Sequence, residues 1–375
     1  MVGKTTSRLL FLYLPILACF LPCSCYSSMV LSEENGGHDN EIKGMFVFGS
    51  SLVDNGNNNF LPNSMAKANY FPYGIDFPFG PSGRFTNGKN VIDLLGDQLH
   101  LPFIPAFADP STRGIRMIHG VNYASGASGI LDDTGLLAGE VISLNQQIRN
   151  FETVTLPELE AEMGMQSREL LKNYLFVVGT GGNDYTFNYF LKPSNESVSL
   201  EAFTANLTHS LSKQLKKLYN LGGRKFVLMS VNPIGCYPMV KAASNGRCNY
   251  ALNKAAHLFN AHLKSLVDAI KPKMTGSDLV FVNSYKIIVD IMKRSVSQGF
   301  KDTSNACCEV GSLREGGNGM LCKRDGTVCE ERNSHLFFDG LHPTEAVNIL
   351  IASKAYNSSF KTEAYPMNIK QLAMH

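Results

Sequence analysis

Residues 45–57 read MFVFGSSLVDNGN, a short apolar run followed at once by a turn rich in serine, asparagine and glycine. Apolar runs of this length without polar alternation are typical of parallel strands that are covered on both faces. Four further runs have the same character, at residues 121–125, 174–179, 225–231 and 278–283. Helical patterns lie between or after them, at residues 90–99, 143–151, 199–221, 250–270, 284–295 and 344–360. The alternation predicts an α/β fold with a central, mostly parallel sheet.

Polar and small residues follow three of these predicted strands. In open α/β sheets, ligands bind beyond the carboxyl ends of the strands. Ser50 and Ser51 follow the first strand, and either hydroxyl could stand on the turn as a nucleophile. Gly126 follows the second strand and can bring its backbone N–H close to a ligand, while the side-chain amide of Asn183, after the third, can donate to an oxyanion. Each of these residues also has an ordinary interpretation as a turn former.

An aspartate and a histidine, Asp339 and His342, lie three positions apart just before the last predicted helix. A carboxylate so placed can fix the tautomer of the imidazole and stabilise its protonated form. Together with a serine and oxyanion donors, this pair completes the set of groups that acyl transfer requires. The competing interpretation of Asp133-Thr134-Gly135 as an aspartic protease loop requires a second such loop, and the sequence contains none.

The composition is that of a globular protein with a substantial core. Of 375 residues, 44% are hydrophobic and 18% are charged, which excludes a disordered or collagen-like chain. Lys and Arg number 34 against 32 Asp and Glu, and removal of Lys4 and Arg8 with the first 28 residues leaves 32 of each. A chain without net charge has no broad field to attract nucleic acid, and we expect no such partner.

Residues 1–28 have the layout of a secretory signal peptide. Lys4 and Arg8 precede an apolar stretch at residues 9–22, and small residues follow it. The stretch is interrupted by proline and is shorter than the roughly 20 residues that a membrane-spanning helix needs. We therefore expect residues 1–28 to be removed, residues 29–375 to form a single domain, and the protein to be secreted without stable membrane insertion.

Six cysteines remain after residue 28, and an even number in an oxidising compartment indicates up to three disulfides with fifteen possible connectivities. They are Cys236, Cys248, Cys307, Cys308, Cys322 and Cys329. The pair at 236 and 248 is favoured because both residues lie in one loop. A zinc site at 307–329 is less favoured because the cluster lacks C-x₂-C spacing and an internal histidine. Three glycosylation sequons fit the same compartment, at Asn195, Asn206 and Asn357.

Residues 46–58 resemble the first motif block of the plant-type GDSL esterase/lipases, within the SGNH hydrolase superfamily. Residues 122–127, 181–184 and 339–345 resemble the other three blocks, in order and at compatible spacing. The resemblance extends from about residue 45 to residue 360. It implies a flavodoxin-like three-layer α/β/α sandwich, and a hydrolase of carboxylic esters, lipid or other acyl esters, that uses neither metal nor cofactor.

The resemblance also implies a role for each site residue. Ser51 would be the nucleophile, His342 the general base and then acid, and Asp339 the group that orients His342. The oxyanion hole would consist of the backbone N–H groups of Ser51 and Gly126 and the side-chain amide of Asn183. Two alternatives stay open: an acyltransferase that uses the same acyl-enzyme, and a catalytically weak secreted binding protein.

One position departs from the motif. Residues 49–52 read G-S-S-L, so that Ser50 stands where the family name expects aspartate. That aspartate is not the triad acid, and a serine hydroxyl can replace part of its local hydrogen bonding. We expect catalysis to be retained with an altered rate or pH response.

Overall fold

The central sheet has five strands in the order β1-β2-β3-β4-β7. A computed structural model describes residues 42–191, 198–311 and 319–375. Its strands are β1 (Gly44–Gly49), β2 (Tyr174–Gly179), β3 (Lys225–Met229), β4 (Asp278–Val282), β5 (Asp302–Ala306), β6 (His335–Phe337) and β7 (Ala364–Tyr365). The first four pair in parallel, β7 joins β4 in the antiparallel sense, and β5 and β6 form a separate two-stranded sheet. The predicted α/β class with a mostly parallel sheet is confirmed.

The sheet is buried because its strands carry apolar side chains on both faces. Every residue of β1, β2 and β3 is buried. Phe46 and Phe226 both pack against Phe176, with ring centroids 5.4 and 5.5 Å apart. Full burial of one such side chain stabilises the fold by about 1.5–3 kcal/mol, so continuous apolar runs favour a covered sheet.

The prediction of a regular strand at 121–125 is wrong. This segment runs beside β1 and forms isolated bridges only, including one between Val47 and Asn122. The Asn122 side chain accepts the N–H of Ala124 at 3.0 Å and donates to the carbonyl of Val53 at 2.6 Å. Side-chain bonds to nearby backbone groups therefore replace part of the regular ladder.

Helices surround the sheet, and asparagine and serine side chains cap several of them. Asn90 and Asp93 form a reciprocal capping box at the start of α1, and Ser199 and Asn249 cap the two longest helices. The helices are α1 (Val91–Gln98), α2 (Leu144–Asn150), α3 (Leu156–Met163), α4 (Ser167–Leu170), α5 (Gly182–Asp184), α6 (Leu200–Asn220), α7 (Pro238–Ala243), α8 (Tyr250–Ile270), α9 (Ser284–Lys293), α10 (Glu345–Asn357) and α11 (Ile369–Met374). Contacts link α1 to α10 and α6 to α8; α8 also contacts β4 of the central sheet, and α10 contacts β6 of the two-stranded sheet.

Three disulfides resolve the connectivity that the sequence left open. The favoured pair Cys236–Cys248 is present, and the remaining bonds are Cys307–Cys329 and Cys308–Cys322. His335 lies near one of them, with ligand atoms of Cys307, Cys329 and His335 within 4.8 Å of one another. The two sulfurs are bonded to each other and are therefore not thiolate ligands.

Two predicted features, the leader at 1–28 and the sequon at Asn195, lie outside the described residues. The other two sequon asparagines, Asn206 on α6 and Asn357 at the end of α10, are exposed. Within the described ranges, no helix has both the length and the apolar character that crossing a membrane requires.

Candidate active site

Ser51 lies on the turn that follows β1 and is partly exposed. The backbone N–H of Ser50 donates to the carbonyl of Gly179 at 3.0 Å, which ties this turn to the end of β2. The hydroxyl of Ser51 lies 2.8 Å from Nε2 of His342, across 291 positions of sequence. Among the described residues, the hydrogen bonds of Ser50 are made by its backbone. Of the two competing serines, Ser51 is therefore the one whose hydroxyl meets the histidine.

Asp339 and His342 form a buried, hydrogen-bonded pair. Nδ1 of His342 lies 2.9 and 2.8 Å from the two carboxylate oxygens, and the two residues are 4% and 0% exposed respectively. The backbone N–H groups of Leu341 and His342 also donate to Asp339 Oδ1, at 2.8 and 2.7 Å. A carboxylate beside Nδ1 holds the proton there, so that the Nε2 lone pair faces the Ser51 hydroxyl.

Asn183 lies in α5, directly after the turn that ends β2, and lines the same cavity as Ser51 and His342. Its side-chain amide donates one hydrogen bond, to the carbonyl of Ser128 at 2.9 Å. A primary amide has two N–H groups, and the second has no acceptor in the part of the chain that the structure describes, so it can donate to a ligand in the cavity.

Gly126 is not brought into this cavity. Its N–H donates to Oδ2 of the buried Asp54 at 3.1 Å, and the residue is not among those that line the cavity. A Cβ at this position would lie 2.7 Å from the ring of Phe85, so close packing accounts for the glycine. The structure thus separates Gly126 from the Ser51, His342 and Asn183 groups that it brings together.

Ala127, the next residue, does line the cavity. Its φ of +67° lies in the left-handed region, which costs a residue with a Cβ about 1–2 kcal/mol. The surrounding bonds hold it there, including those from Ser125 Oγ to Asn58 Oδ1 at 2.6 Å and from Ser128 Oγ to the Gly49 carbonyl at 3.1 Å. Within the described ranges, neither its N–H nor that of Ser51 has an acceptor.

Asp54 stabilises the turn after β1 by accepting backbone hydrogen bonds. Its Oδ1 accepts the N–H groups of Gly56 and Asn57 at 2.7 and 2.8 Å, and its Oδ2 accepts that of Gly126. Burial raises the pKa of this carboxyl to about 6, although the three hydrogen bonds oppose the shift. Sequence reasoning missed this residue and Ala127, because nothing in the residue types marks a buried acceptor or a left-handed alanine.

A model of the GDSL-like lipase/acylhydrolase family matches residues 45–355. The chain belongs to this family. It is 44% identical over 355 residues to GDSL esterase/lipase At5g08460 of Arabidopsis thaliana, covering 90% of both chains. It is 41% identical to At1g29670 and 39% to At1g71691, GDSL esterase/lipases of the same plant, covering 89% of this chain and 92% and 86% of theirs.

The cavity lined by Ser51, Asn183 and His342 has a volume of about 410 Å³, and its lining is mostly apolar. None of its described lining residues is Asp, Glu, Lys or Arg. Three apolar side chains at the cavity are also strongly exposed: Met65 at 63%, Leu137 at 71% and Leu191 at 56%. The cavity therefore connects Ser51 to an apolar opening at the surface.

The D-T-G sequence has a structural explanation within this fold. The hydroxyl of Thr134 donates to Asp184 at 2.8 Å, and the amide of Asn188 donates to Asp133 at 3.1 Å. Asp184 also accepts two backbone N–H groups of the same turn. Asp133 thus takes part in a turn that Asp184 anchors.

Proposed function

We propose that the protein hydrolyses carboxylic esters through an acyl-enzyme on Ser51. The observation that carries this proposal is the continuous chain of hydrogen-bond distances from Ser51 Oγ to His342 Nε2 and from His342 Nδ1 to Asp339. Membership of the GDSL-like lipase/acylhydrolase family, whose relatives bear the name esterase/lipase, makes it a carboxylic ester hydrolase.

In the first half-reaction, Ser51 Oγ attacks the ester carbonyl while His342 Nε2 takes the hydroxyl proton. The carbonyl π-electrons move to its oxygen, and collapse of the tetrahedral intermediate expels the alcohol, which His342 protonates. In the second, a water oxygen attacks the acyl carbonyl while His342 takes a proton from that water. Collapse of the second tetrahedral intermediate breaks the bond between the acyl carbon and Ser51 Oγ and releases the acid, and His342 returns the proton to Ser51 Oγ. Asp339 stabilises the imidazolium that forms twice in the cycle.

The developing oxyanion needs donors that face the cavity. We assign them to the N–H of Ser51, the N–H of Ala127 and the side-chain amide of Asn183. Ala127 replaces Gly126 in this assignment, because the Gly126 N–H is bound to Asp54 while the Ala127 N–H has no acceptor among the described residues.

The apolar lining supports an apolar acyl group as the substrate part that fills the cavity, as in lipid esters. Each buried methylene contributes about 0.8 kcal/mol, or roughly fourfold in kcat/KM when the transition state keeps the contact. A p-nitrophenyl ester series from acetate to octanoate measures this slope. A flat series would mean that the acyl chain does not occupy the cavity.

We also propose that residues 1–28 direct the chain into the secretory pathway and that residues 29–375 act as one extracellular domain. Three disulfides and two exposed sequon asparagines support that compartment. Expression of the full chain in a eukaryotic secretory host tests this. The medium protein should begin near residue 29 and lose mass on enzymatic deglycosylation; retention of residues 1–28 would contradict the proposal.

The catalytic assignment is tested with a fluorophosphonate probe and peptide mass spectrometry. We expect an adduct on Ser51 in the wild type and in Ser50→Ala, and none in Ser51→Ala or His342→Ala. An adduct on Ser50, or equal labelling without His342, would overturn the assignment. Product analysis with added alcohols distinguishes hydrolysis from acyl transfer, because a transferase would yield the new ester in preference to the acid.

A further inference from the structure

Tyr73 donates a hydrogen bond to the Asp339 carboxylate. Among the described residues, it is the only donor to this carboxylate from outside the 339–342 turn. Its phenol oxygen lies 2.6 Å from Asp339 Oδ2, across 266 positions of sequence. The other donors to this carboxylate are the His342 ring and the backbone N–H groups of Leu341 and His342. Those bonds fix the shape of the turn, whereas Tyr73 ties the carboxylate to the rest of the protein.

The phenol is held from its other side as well. The backbone N–H of Cys322 donates to the Tyr73 oxygen at 3.1 Å, and Cys322 is bonded to Cys308. A tyrosine hydroxyl has one proton. Because the carboxylate can only accept and the Cys322 N–H can only donate, that proton points at Asp339.

The ring of Tyr73 is completely buried and is fixed by aromatic packing. Its centroid lies 5.3 Å from that of Tyr70, 6.1 Å from Phe85 and 5.7 Å from Phe338. The Phe85 ring in turn lies 4.9 Å from the His342 ring. Tyr73 does not line the site cavity, so its effect on a substrate has to pass through Asp339 and His342.

We propose that Tyr73 is a positioning residue whose O–H orients Asp339 and sets the basicity of His342. This inference rests on the proposed function, since it assigns Tyr73 a role in the same triad. When the Tyr73 O–H donates to Asp339, this hydrogen bond stabilises the negative charge of the carboxylate. Without it, the carboxylate is more basic and stabilises the His342 imidazolium more strongly.

The groups around Asp339 allow this change to be measured. Its charge acts on Tyr70, Tyr73 and Tyr237, and burial raises the pKa of all three, that of Tyr70 to about 12. The guanidinium of Arg324 lies 4.4 Å from the centroid of the Tyr70 ring. The pH profile of each variant is compared with that of the wild type, and all groups other than the substituted tyrosine are the same in the proteins compared.

The experiment compares Tyr73→Phe with Tyr70→Phe. Tyr70 is the matched control because its hydroxyl donates to the carbonyl of Cys322 at 2.8 Å, in the same aromatic cluster, but does not bond Asp339. Each variant is assayed for kcat and KM on a p-nitrophenyl ester, for the acid limb of kcat/KM between pH 5 and 9, and for thermal midpoint.

In Tyr73→Phe we expect kcat to fall about 10- to 100-fold with KM unchanged, the range typical for partners that orient a functional histidine. We also expect the acid limb to move up by about half a pH unit or more. In Tyr70→Phe the limb should stay in place, whatever the thermal midpoint does. Equal limbs in both variants, or an equal fall in kcat, would overturn the positioning role.

The two proposals fail in different ways. If the wild type shows no His342-dependent fluorophosphonate labelling, the proposed function is wrong. If the wild type labels normally and Tyr73→Phe keeps the wild-type acid limb, only the role of Tyr73 is wrong. Should Tyr73→Phe fold poorly, the hydroxyl proton resonance of Tyr73 in the wild type and in Tyr70→Phe decides: a protected, downfield resonance would support its bond to Asp339, and the absence of such a resonance would contradict that bond.

Discussion

Burial and hydrogen bonding shift the pKa of the Asp54 carboxyl in opposite directions. The pH dependence of unfolding shows which of the two effects is larger. Three backbone N–H groups donate to its carboxylate, and such bonds lower the pKa of a carboxyl group. Complete burial opposes them and raises the pKa from 3.8 to about 6. Because the folded value is the higher one, the carboxyl contributes stability in full below pH 3.8, and this contribution is lost as the pH rises through 6.

The size of the effect follows from the shift. Between pH 4.5 and 7.5 the Asp54 contribution falls by about 1.5 units at 1.36 kcal/mol each, or about 2 kcal/mol. Asp54→Asn removes this titration. The buried Asp184 has a pKa raised to about 6 as well, but it is common to both proteins and cancels in the difference.

The assay is urea unfolding of wild type and Asp54→Asn at both pH values, with disulfides intact. The free-energy advantage of the wild type over the variant should be about 2 kcal/mol smaller at pH 7.5 than at pH 4.5. A difference that stays constant or grows with pH would mean that the three hydrogen bonds outweigh burial. Carboxyl NMR titration of the wild type gives the same pKa without any substitution.

Three further outcomes are expected. Asn183→Ala should lower kcat about 10²–10³-fold with little change in KM, because it removes an oxyanion donor; steady-state kinetics that show mainly a KM effect would contradict that role. A crystal structure of the phosphonate adduct should place the phosphoryl oxygen within about 3.1 Å of the Ala127 nitrogen, whereas contact with the Gly126 nitrogen would restore the residue named from sequence. Arg84→Met should lower the free energy of unfolding by about 3–5 kcal/mol, because the buried Asp93 carboxylate loses the guanidinium that lies 2.7 Å from it. A urea midpoint near that of the wild type would refute this expectation.

The parallel strands could be predicted because each is a continuous apolar run, and β1 to β4 all appear where such runs lie. The same rule fails at 121–125, where the side chain of Asn122 bonds backbone groups. It also misses β5, whose residues 302–306 are mostly polar and partly exposed, and β6 and β7, which have only three and two residues. None of the three strands carries an apolar run of the length from which strands are recognised.

The six helices predicted from periodicity are all present, with ends that differ by up to three residues. Periodicity does not predict the short helices, because three to eight residues hold too few apolar positions to show a period of 3.6. α3 adds a second difficulty, since it continues from α2 through a π-helical turn rather than from a capped start of its own.

The serine, aspartate and histidine that we propose as the triad could be named from motifs, but the contacts around them could not. The motif names Gly126, and the backbone fold turns its N–H toward Asp54 and leaves Ala127 facing the cavity. Tyr73 lies in the aromatic and proline-rich stretch at residues 71–79, where no residue type distinguishes a partner of Asp339 from a packing residue. Its bond to Asp339 joins residues 266 positions apart and is visible only in the folded chain.

Ser51 and His342 are 291 positions apart, so Ser51 is synthesised well before His342. At roughly 5–20 residues per second, the ribosome needs about 15–60 s to add that stretch of chain. During that interval the Ser51 hydroxyl lacks the imidazole that the folded protein places 2.8 Å from it. The contact between Ser51 and His342 can therefore form only after the last part of the chain has been synthesised.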